Sequence, residues 1–172
     1  FRGDAGGDTI ALQAGAGTDT VAYLAQFDGS GFGTASGYDR ISNFQSGTDK
    51  VQIVRGGLLE SAVDRGGDLS LSLTSRGQGQ VDLSTDEVVY LTTAVSGSLT
   101  DNGYANFVTA LGAVTGNAQA AVIANNGNES ALYYINNESD WPAAPNEMGS
   151  RFVRMLGLFE NTTLQAGDIV IL

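Results

Sequence analysis

Two neighbouring stretches of the chain carry one pattern, Gly3-Asp4-Ala5-Gly6-Gly7-Asp8-Thr9-Ile10-Ala11 and Ala14-Gly15-Ala16-Gly17-Thr18-Asp19-Thr20-Val21-Ala22. Each reads x-Gly-x-Asp followed by a polar, an apolar and a small residue. Glycine reaches positive φ at no steric cost, so the backbone can turn its carbonyl oxygens into a concave loop beside the charged oxygens of the aspartate. Such a loop suits a hard cation, Ca2+ above all. Behind each aspartate the chain can form a short strand with one buried apolar side chain, Ile10 or Val21. Each unit is therefore a half-turn of a coil.

The spacing of later aspartates extends this register. Asp8, Asp19, Asp28, Asp39 and Asp49 follow one another at intervals of 11, 9, 11 and 10 residues. Four of them precede a β-branched apolar residue by two positions, namely Ile10, Val21, Ile41 and Val51, whereas Asp28 is followed by Gly29-Ser30-Gly31. With two units to a full turn, Asp8, Asp28 and Asp49 lie on one edge of the coil, and Asp19 and Asp39 on the other. A cation between successive loops would then pair Asp8 with Asp28 and Asp19 with Asp39, with carbonyls filling the roughly 6–8 oxygen positions that calcium takes. Asp28 reads equally well as a ligand or as a solvated loop residue.

The segment Gly37-Tyr38-Asp39-Arg40-Ile41-Ser42-Asn43-Phe44-Gln45-Ser46-Gly47-Thr48-Asp49-Lys50-Val51 resembles the G-x-D-x-I-x-D-F-x-x-G-x-D-K-I run that closes the calcium β-roll of many RTX exoproteins, serralysin-type proteases among them. The opening pair is similar to the same family's G-G-x-G-x-D-x-U-x nonapeptide, with Asp4 at the second glycine of the first copy and Ala14 at the first glycine of the second. Asn43 stands where the family carries an acid. The resemblance implies a short calcium-binding parallel β-roll over residues 1–53. Its candidate ligands, by side chain or carbonyl, are Asp4, Gly6, Asp8, Gly15, Gly17, Asp19, Asp28, Gly37, Asp39 and Asp49. Ile41 and Phe44 would cap the apolar interior, and Gly47 would turn the chain into the next strand.

Composition narrows the chemistry. The net charge is −11, with 19 acidic against 8 basic residues, which argues against a nucleic-acid or anionic membrane partner. The absence of Cys and His excludes thiol and imidazole catalysis, disulfides and the usual zinc or copper sites, and leaves oxygen for metal binding. Glycine numbers 24 and proline 2, yet hydrophobic residues make up 42%, so the chain can bury a core. No stretch approaches the roughly 20 apolar residues that span a bilayer, and no signal peptide is visible. Beginning at Phe1 inside a repeat, the sequence reads as the C-terminal piece of a longer protein.

Residues 54–172 read as a β-rich, sandwich-like domain with one helix. Leu69-Ser70-Leu71-Ser72-Leu73 and Val81-Asp82-Leu83 alternate, Val88-Val89-Tyr90-Leu91 is a continuous apolar strand, and Gly66-Gly67-Asp68 and Arg76-Gly77-Gln78-Gly79 are turns. Asp68 fits a hairpin better than a calcium loop. A helix near 102–115, capped by Thr100 or Asp101 and ended by Gly116, would lay Tyr104, Phe107, Val108, Leu111 and Val114 on a sheet. Asn125-Asn126-Gly127-Asn128 turns a hairpin between Ala120-Ala121-Val122-Ile123 and Ala131-Leu132-Tyr133-Tyr134-Ile135. A loop from Trp141 to Gly149 precedes the strands Phe152–Phe159 and Leu164–Leu172. This half is similar to the C-terminal region of type I secretion substrates, including RTX surface-layer proteins, whose uncleaved tail is read by the export machinery.

The expected fold is mainly all-β, a short parallel β-roll leading into the β-rich domain. The expected function is that of a non-catalytic calcium-binding module of a protein secreted by a Gram-negative bacterium, with Ca2+ and the type I machinery as partners. Alternatives are a surface-layer or adhesin module that self-associates, and the C-terminal part of a secreted hydrolase whose site lies upstream. A glycosidase-like pair among Asp82, Asp86 and Glu87 is set against solvated turn residues, the expected reading. Arg2-Gly3-Asp4 overlaps the repeat and is taken as coincidence. Asn-x-Ser/Thr at Asn128, Asn137 and Asn161 would matter only in a eukaryotic source.

Overall fold

The computed structural model describes residues 1–3, 5–15, 17–25, 28–30, 36–55, 57–64, 67, 71–137 and 153–171, with the side chains of Glu60 and Ser61 left aside. Among them the chain forms β1 (Thr9–Ala11), β2 (Thr20–Tyr23), β3 (Asp39–Ser42), β4 (Lys50–Ile53), α1 (Leu58–Val63), β5 (Leu73–Arg76), β6 (Val88–Leu91), α2 (Ala105–Leu111), β7 (Gln119–Asn125), β8 (Ser130–Asn136), β9 (Val153–Phe159) and β10 (Ile169–Ile171). Seven strands make one sheet in the order β1-β3-β9-β8-β7-β6-β5, and three make a second in the order β10-β4-β2. The expected loop from Trp141 to Gly149, together with Asp4, Asp68, Leu69 and Ser70, lies outside the described residues.

The repeat units do form rungs. From β1 to β4 the chain alternates between the two sheets, and each strand turns the β-branched residue two positions after its aspartate inward, with Val21, Ile41 and Val51 fully buried and Ile10 nearly so. Ile10 stands beside Ile41 and Val21 beside Val51 in parallel ladders. The expected stacking needs correction. Asp8 lies over Asp39, 31 residues away, and Asp19 over Asp49, 30 residues away, in place of Asp8 over Asp28 and Asp19 over Asp39. Asp28 lacks a β-branched residue behind it, so its unit has nothing to bury. The chain there instead runs against β9, where the Ser30 N–H donates to the Met155 carbonyl and the Met155 N–H to Ser30 Oγ. A Cβ at Gly29 would collide with that Met155 carbonyl.

The boundary expected at residue 53 does not separate two sheets. β9 pairs parallel with β3 and β10 parallel with β4, so the C-terminal strands supply the next rung on both sides. The remainder of the larger sheet continues the same layer, where a separate sandwich-like unit was expected. Strands β5, β6 and β7 are parallel to one another, and only the ladders to β8 are antiparallel.

The larger sheet is buried on both faces, so its central strands read as apolar runs without alternation. Ala120, Val122 and Ala124 of β7 face a core with Phe107 and Leu111 of α2. Ala121 and Ile123 face the other core, with Leu59 and Val63 of α1 and Val21 and Val51 of the smaller sheet. The Asn-Gly hairpin forms as expected. The helix is shorter: a single 3-10 turn, Asn102–Tyr104, leads into α2, and Gly112 ends it at φ 71, four residues before Gly116. Its apolar stripe packs inward, Phe107 stacking on Tyr133 at 3.9 Å. The spacing of Leu59, Ala62 and Val63 carries the signal for α1, which was not anticipated. Strand β5 begins where the Leu69–Leu73 alternation ends and takes in Arg76, while Val81-Asp82-Leu83 makes one bridge, Asp82 with Thr115.

Tyr23 is the one large polar side chain of the smaller sheet that points into this interior. It is 1% exposed, and its hydroxyl has no hydrogen-bond partner among the described residues. Burial, with Asp39 and Asp28 nearby, pushes its pKa well above the usual tyrosine value. A raised folded-state pKa gives stability that is complete below the unfolded value and lost as pH rises past it, here above about pH 10. Replacing Tyr23 with Phe should raise stability by about 1 kcal/mol, because a buried hydroxyl without a partner only costs desolvation. Thermal melts from pH 7 to 11 would show both the gain and a blunted alkaline loss; a destabilised variant would mean that the hydroxyl is satisfied.

Candidate functional site

The aspartates enter their strands along two edges of the rung stack. On the first edge the loop containing Gly6 leads into β1 and Gly37 into β3; on the second, Gly15 and Gly17 lead into β2 and Gly47 into β4. Gly6, Gly15, Gly17 and Gly37 all hold positive φ, from 72° to 113°, which fits loops whose carbonyls are turned inward.

Each lower carboxylate is bonded to the backbone of the rung above. Asp39, 1% exposed, accepts the Asp8 N–H on Oδ1 at 3.0 Å, and the Arg40 N–H returns a bond to the Asp8 carbonyl at 2.7 Å. Asp49, also buried, accepts the Asp19 N–H at 2.9 Å and the Gln45 N–H at 2.8 Å, while the Lys50 N–H donates to the Asp19 carbonyl. A third carboxylate, Asp168, continues the series on the second edge. It accepts the Gly47 N–H at 2.7 Å, the Ser46 hydroxyl at 2.6 Å and the Gln165 N–H at 2.8 Å. Gly167-Asp168-Ile169 carries the same glycine–aspartate–apolar signal as the earlier rungs, one residue shorter, and so passed for plain strand in the sequence.

Of the remaining candidates, Asp8 is exposed on the first edge. Asp19 is half-buried, and its Oδ2 is enclosed without a hydrogen-bond partner among the described residues. Asp28 does not stack with Asp8 as expected: its Oδ2 clasps the Leu24 and Ala25 N–H groups at 3.1 and 2.9 Å, and the residue is half-buried. Asn43 donates its amide to the Leu12 carbonyl at 3.1 Å and takes φ 61, roles that an acid in its place would fill only in part.

Among the described residues no three acidic side chains converge. A cation on the second edge would therefore draw on Asp19 Oδ2, the remaining lone pairs of Asp49 and a majority of backbone carbonyls. An all-oxygen set with one enclosed, unsatisfied carboxylate oxygen fits a hard cation.

Solvated acids were expected in the 82–87 turn, but Asp86 and Glu87 are buried and committed to the fold. Asp86, 1% exposed, takes Arg76 Nε at 2.9 Å and Nη2 at 2.7 Å together with the Asp82 N–H at 2.9 Å. Glu87, 7% exposed, accepts the Ser72 N–H and hydroxyl at 2.8 and 2.9 Å. Asp82 remains in the turn, where hydrogen bonds from the Ser84 hydroxyl and N–H hold its carboxyl below the usual range. Asp86 and Glu87 thus tie the turn to Arg76 of β5 and to Ser72 just before it. Comparison with protein-family models, with characterised proteins and with solved structures finds no match.

Proposed function

We propose that the chain is a calcium-responsive, non-catalytic module of an exported bacterial protein, in which cation binding at the rung edges drives folding and the C-terminal segment serves as the export tail. The observation that carries the reading is the stacked aspartate register, Asp8 over Asp39 and Asp19 over Asp49, with Asp19 Oδ2 enclosed and unsatisfied. In a low-calcium cytosol a chain of net charge −11 repels itself and the glycine-rich loops carry a high ordering entropy, so it remains unfolded and can be threaded through a channel. Outside, calcium neutralises the edges and its binding free energy becomes folding free energy. The resemblance to RTX repeats and to type I secretion substrates supports the same assignment.

Circular dichroism during calcium titration of the chelated chain tests it. Calcium should restore β-signal where magnesium at equal concentration does not, since magnesium demands a tighter, six-oxygen geometry and gives up its water reluctantly. Asp19→Ala should raise the calcium midpoint several-fold. Asp28→Ala should leave that midpoint in place while lowering stability by about 1 kcal/mol through the lost turn clasp. No calcium effect, or equal midpoints for the two variants, would reject the site.

A second reading, assembly of copies at a cell surface, draws on the outer strands β1 and β5 of the larger sheet, each paired on one side only among the described residues. These run in the same direction, so one copy's β5 could receive the next copy's β1 in a parallel ladder. Light scattering that grows with calcium would favour it.

A further inference from the structure

We propose that Asn102 is a site of spontaneous deamidation, and that the fold directs this chemistry to Asn102 and away from Asn126. The chain holds two Asn-Gly pairs, Asn102-Gly103 and Asn126-Gly127. Glycine leaves the following nitrogen unshielded, so an Asn-Gly pair is chemically the most exposed context for this reaction. The glycine nitrogen attacks the asparagine Cγ. The new N–Cγ bond forms as the Cγ–Nδ2 bond breaks, and Nδ2 leaves as ammonia with the proton given up by the attacking nitrogen. Water then opens the cyclic imide at either carbonyl, leaving aspartate or isoaspartate. Water is the only co-reactant, and nothing is oxidised or reduced.

The reaction requires the side chain to swing its Cγ over the next nitrogen, so side-chain restraint decides between the two sites. Asn126 is held on every polar atom. Its Oδ1 accepts the Asn128 and Glu129 N–H groups at 3.0 and 2.8 Å, and its Nδ2 donates to the Gly97 carbonyl at 3.1 Å. The attacking nitrogen is committed too, since the Gly127 N–H donates to Asn125 Oδ1 at 3.2 Å. Asn102 is exposed, and its amide makes no hydrogen bond among the described residues. It sits in the 3-10 turn before α2, which Gly103 breaks at φ 69.

The position gives the modification a structural consequence. A new carboxylate would adjoin Asp101, whose own carboxylate accepts the Asn106 N–H at 3.2 Å near the start of α2. Isoaspartate would also lengthen the backbone two residues before Tyr104, a fully buried side chain whose hydroxyl pairs with Ser30 Oγ at 2.8 Å.

Incubation of the folded protein at mildly alkaline pH, followed by peptide mass mapping and isoaspartyl-methyltransferase labelling, tests the proposal. Asn102 should convert about tenfold faster than Asn126 or more, because conversion at Asn126 must first break its hydrogen bonds. In urea the two rates should approach each other. The Asn102→Gln variant, with unchanged circular dichroism, should lose most of the label. Equal or faster conversion at Asn126 in the folded chain, a rate gap that survives in urea, or label retained in Asn102→Gln would overturn it.

Discussion

A chain ending at Leu164 is expected to lose about 4 kcal/mol or more of stability, with the loss concentrated in the N-terminal rungs, far from the cut in sequence. The deletion removes β10 and with it the parallel partner of β4. Ile169 and Ile171, packed against the core of Val21, Val51 and Ile53, go too. So does Asp168, leaving the Gly47 N–H and the Ser46 hydroxyl without their acceptor. Lys50 Nζ loses its bond to the Gly167 carbonyl. Hydrogen exchange at the amides of β2 and β4 reads this directly. The substitution Asp168→Asn is the milder probe, since it keeps the volume and one acceptor oxygen while placing a donor against the donors that meet Oδ2. Unchanged protection at Val21 and Val51 in the truncated chain would show that the third rung contributes nothing to the first two.

The second large effect is expected at Gly157. A Cβ there would overlap the Tyr23 hydroxyl and press on Ile41 Cδ1 at 3.1 Å, in a region where both neighbours are 1% exposed or less. Neither can retreat toward solvent. Gly157→Ala should therefore cost about 2–3 kcal/mol, the scale of overpacking in a close-packed interior. The cause can be isolated, because Tyr23→Phe removes the colliding oxygen. The double variant should recover a substantial part of the loss, giving a coupling well beyond additivity in denaturant melts. Strict additivity would mean that the glycine is needed for its backbone and not for the space it leaves to Tyr23.

Sequence patterns disclosed what is local. The Asn-Gly turn, the stripe from Tyr104 to Val114 and the aspartate-then-β-branched rungs at Ile10, Val21, Ile41 and Val51 are each written within a few residues, and each appears in the structure. Stacking is a different matter. Which rung lies on which depends on the passage of residues 28–30 along β9, a contact made across 125 residues that no spacing rule contains. Asp168 was legible only as part of a strand, because its partners Ser46 and Gly47 are 122 and 121 residues away. Asp86 and Glu87 looked like turn acids for the same reason. Arg76 and Ser72 reach them only through the parallel pairing of β5 with β6. Of the candidate site, then, the aspartates were readable one by one but their pairing was not.

The single reversed strand of the larger sheet has a consequence for how the molecule comes into being. β7 and β8 are joined through Asn126–Glu129, so their ladder closes almost without a loop, whereas the rungs beside β3 wait for a segment more than a hundred residues further on. Loop-closure entropy makes the short hairpin the earliest ladder to form and the junction of β3 with β9 the slowest. Assembly is therefore expected to proceed outward from the middle of the sheet. The second aspartate edge is complete only once β10 has paired with β4 and Asp168 has met Ser46 and Gly47.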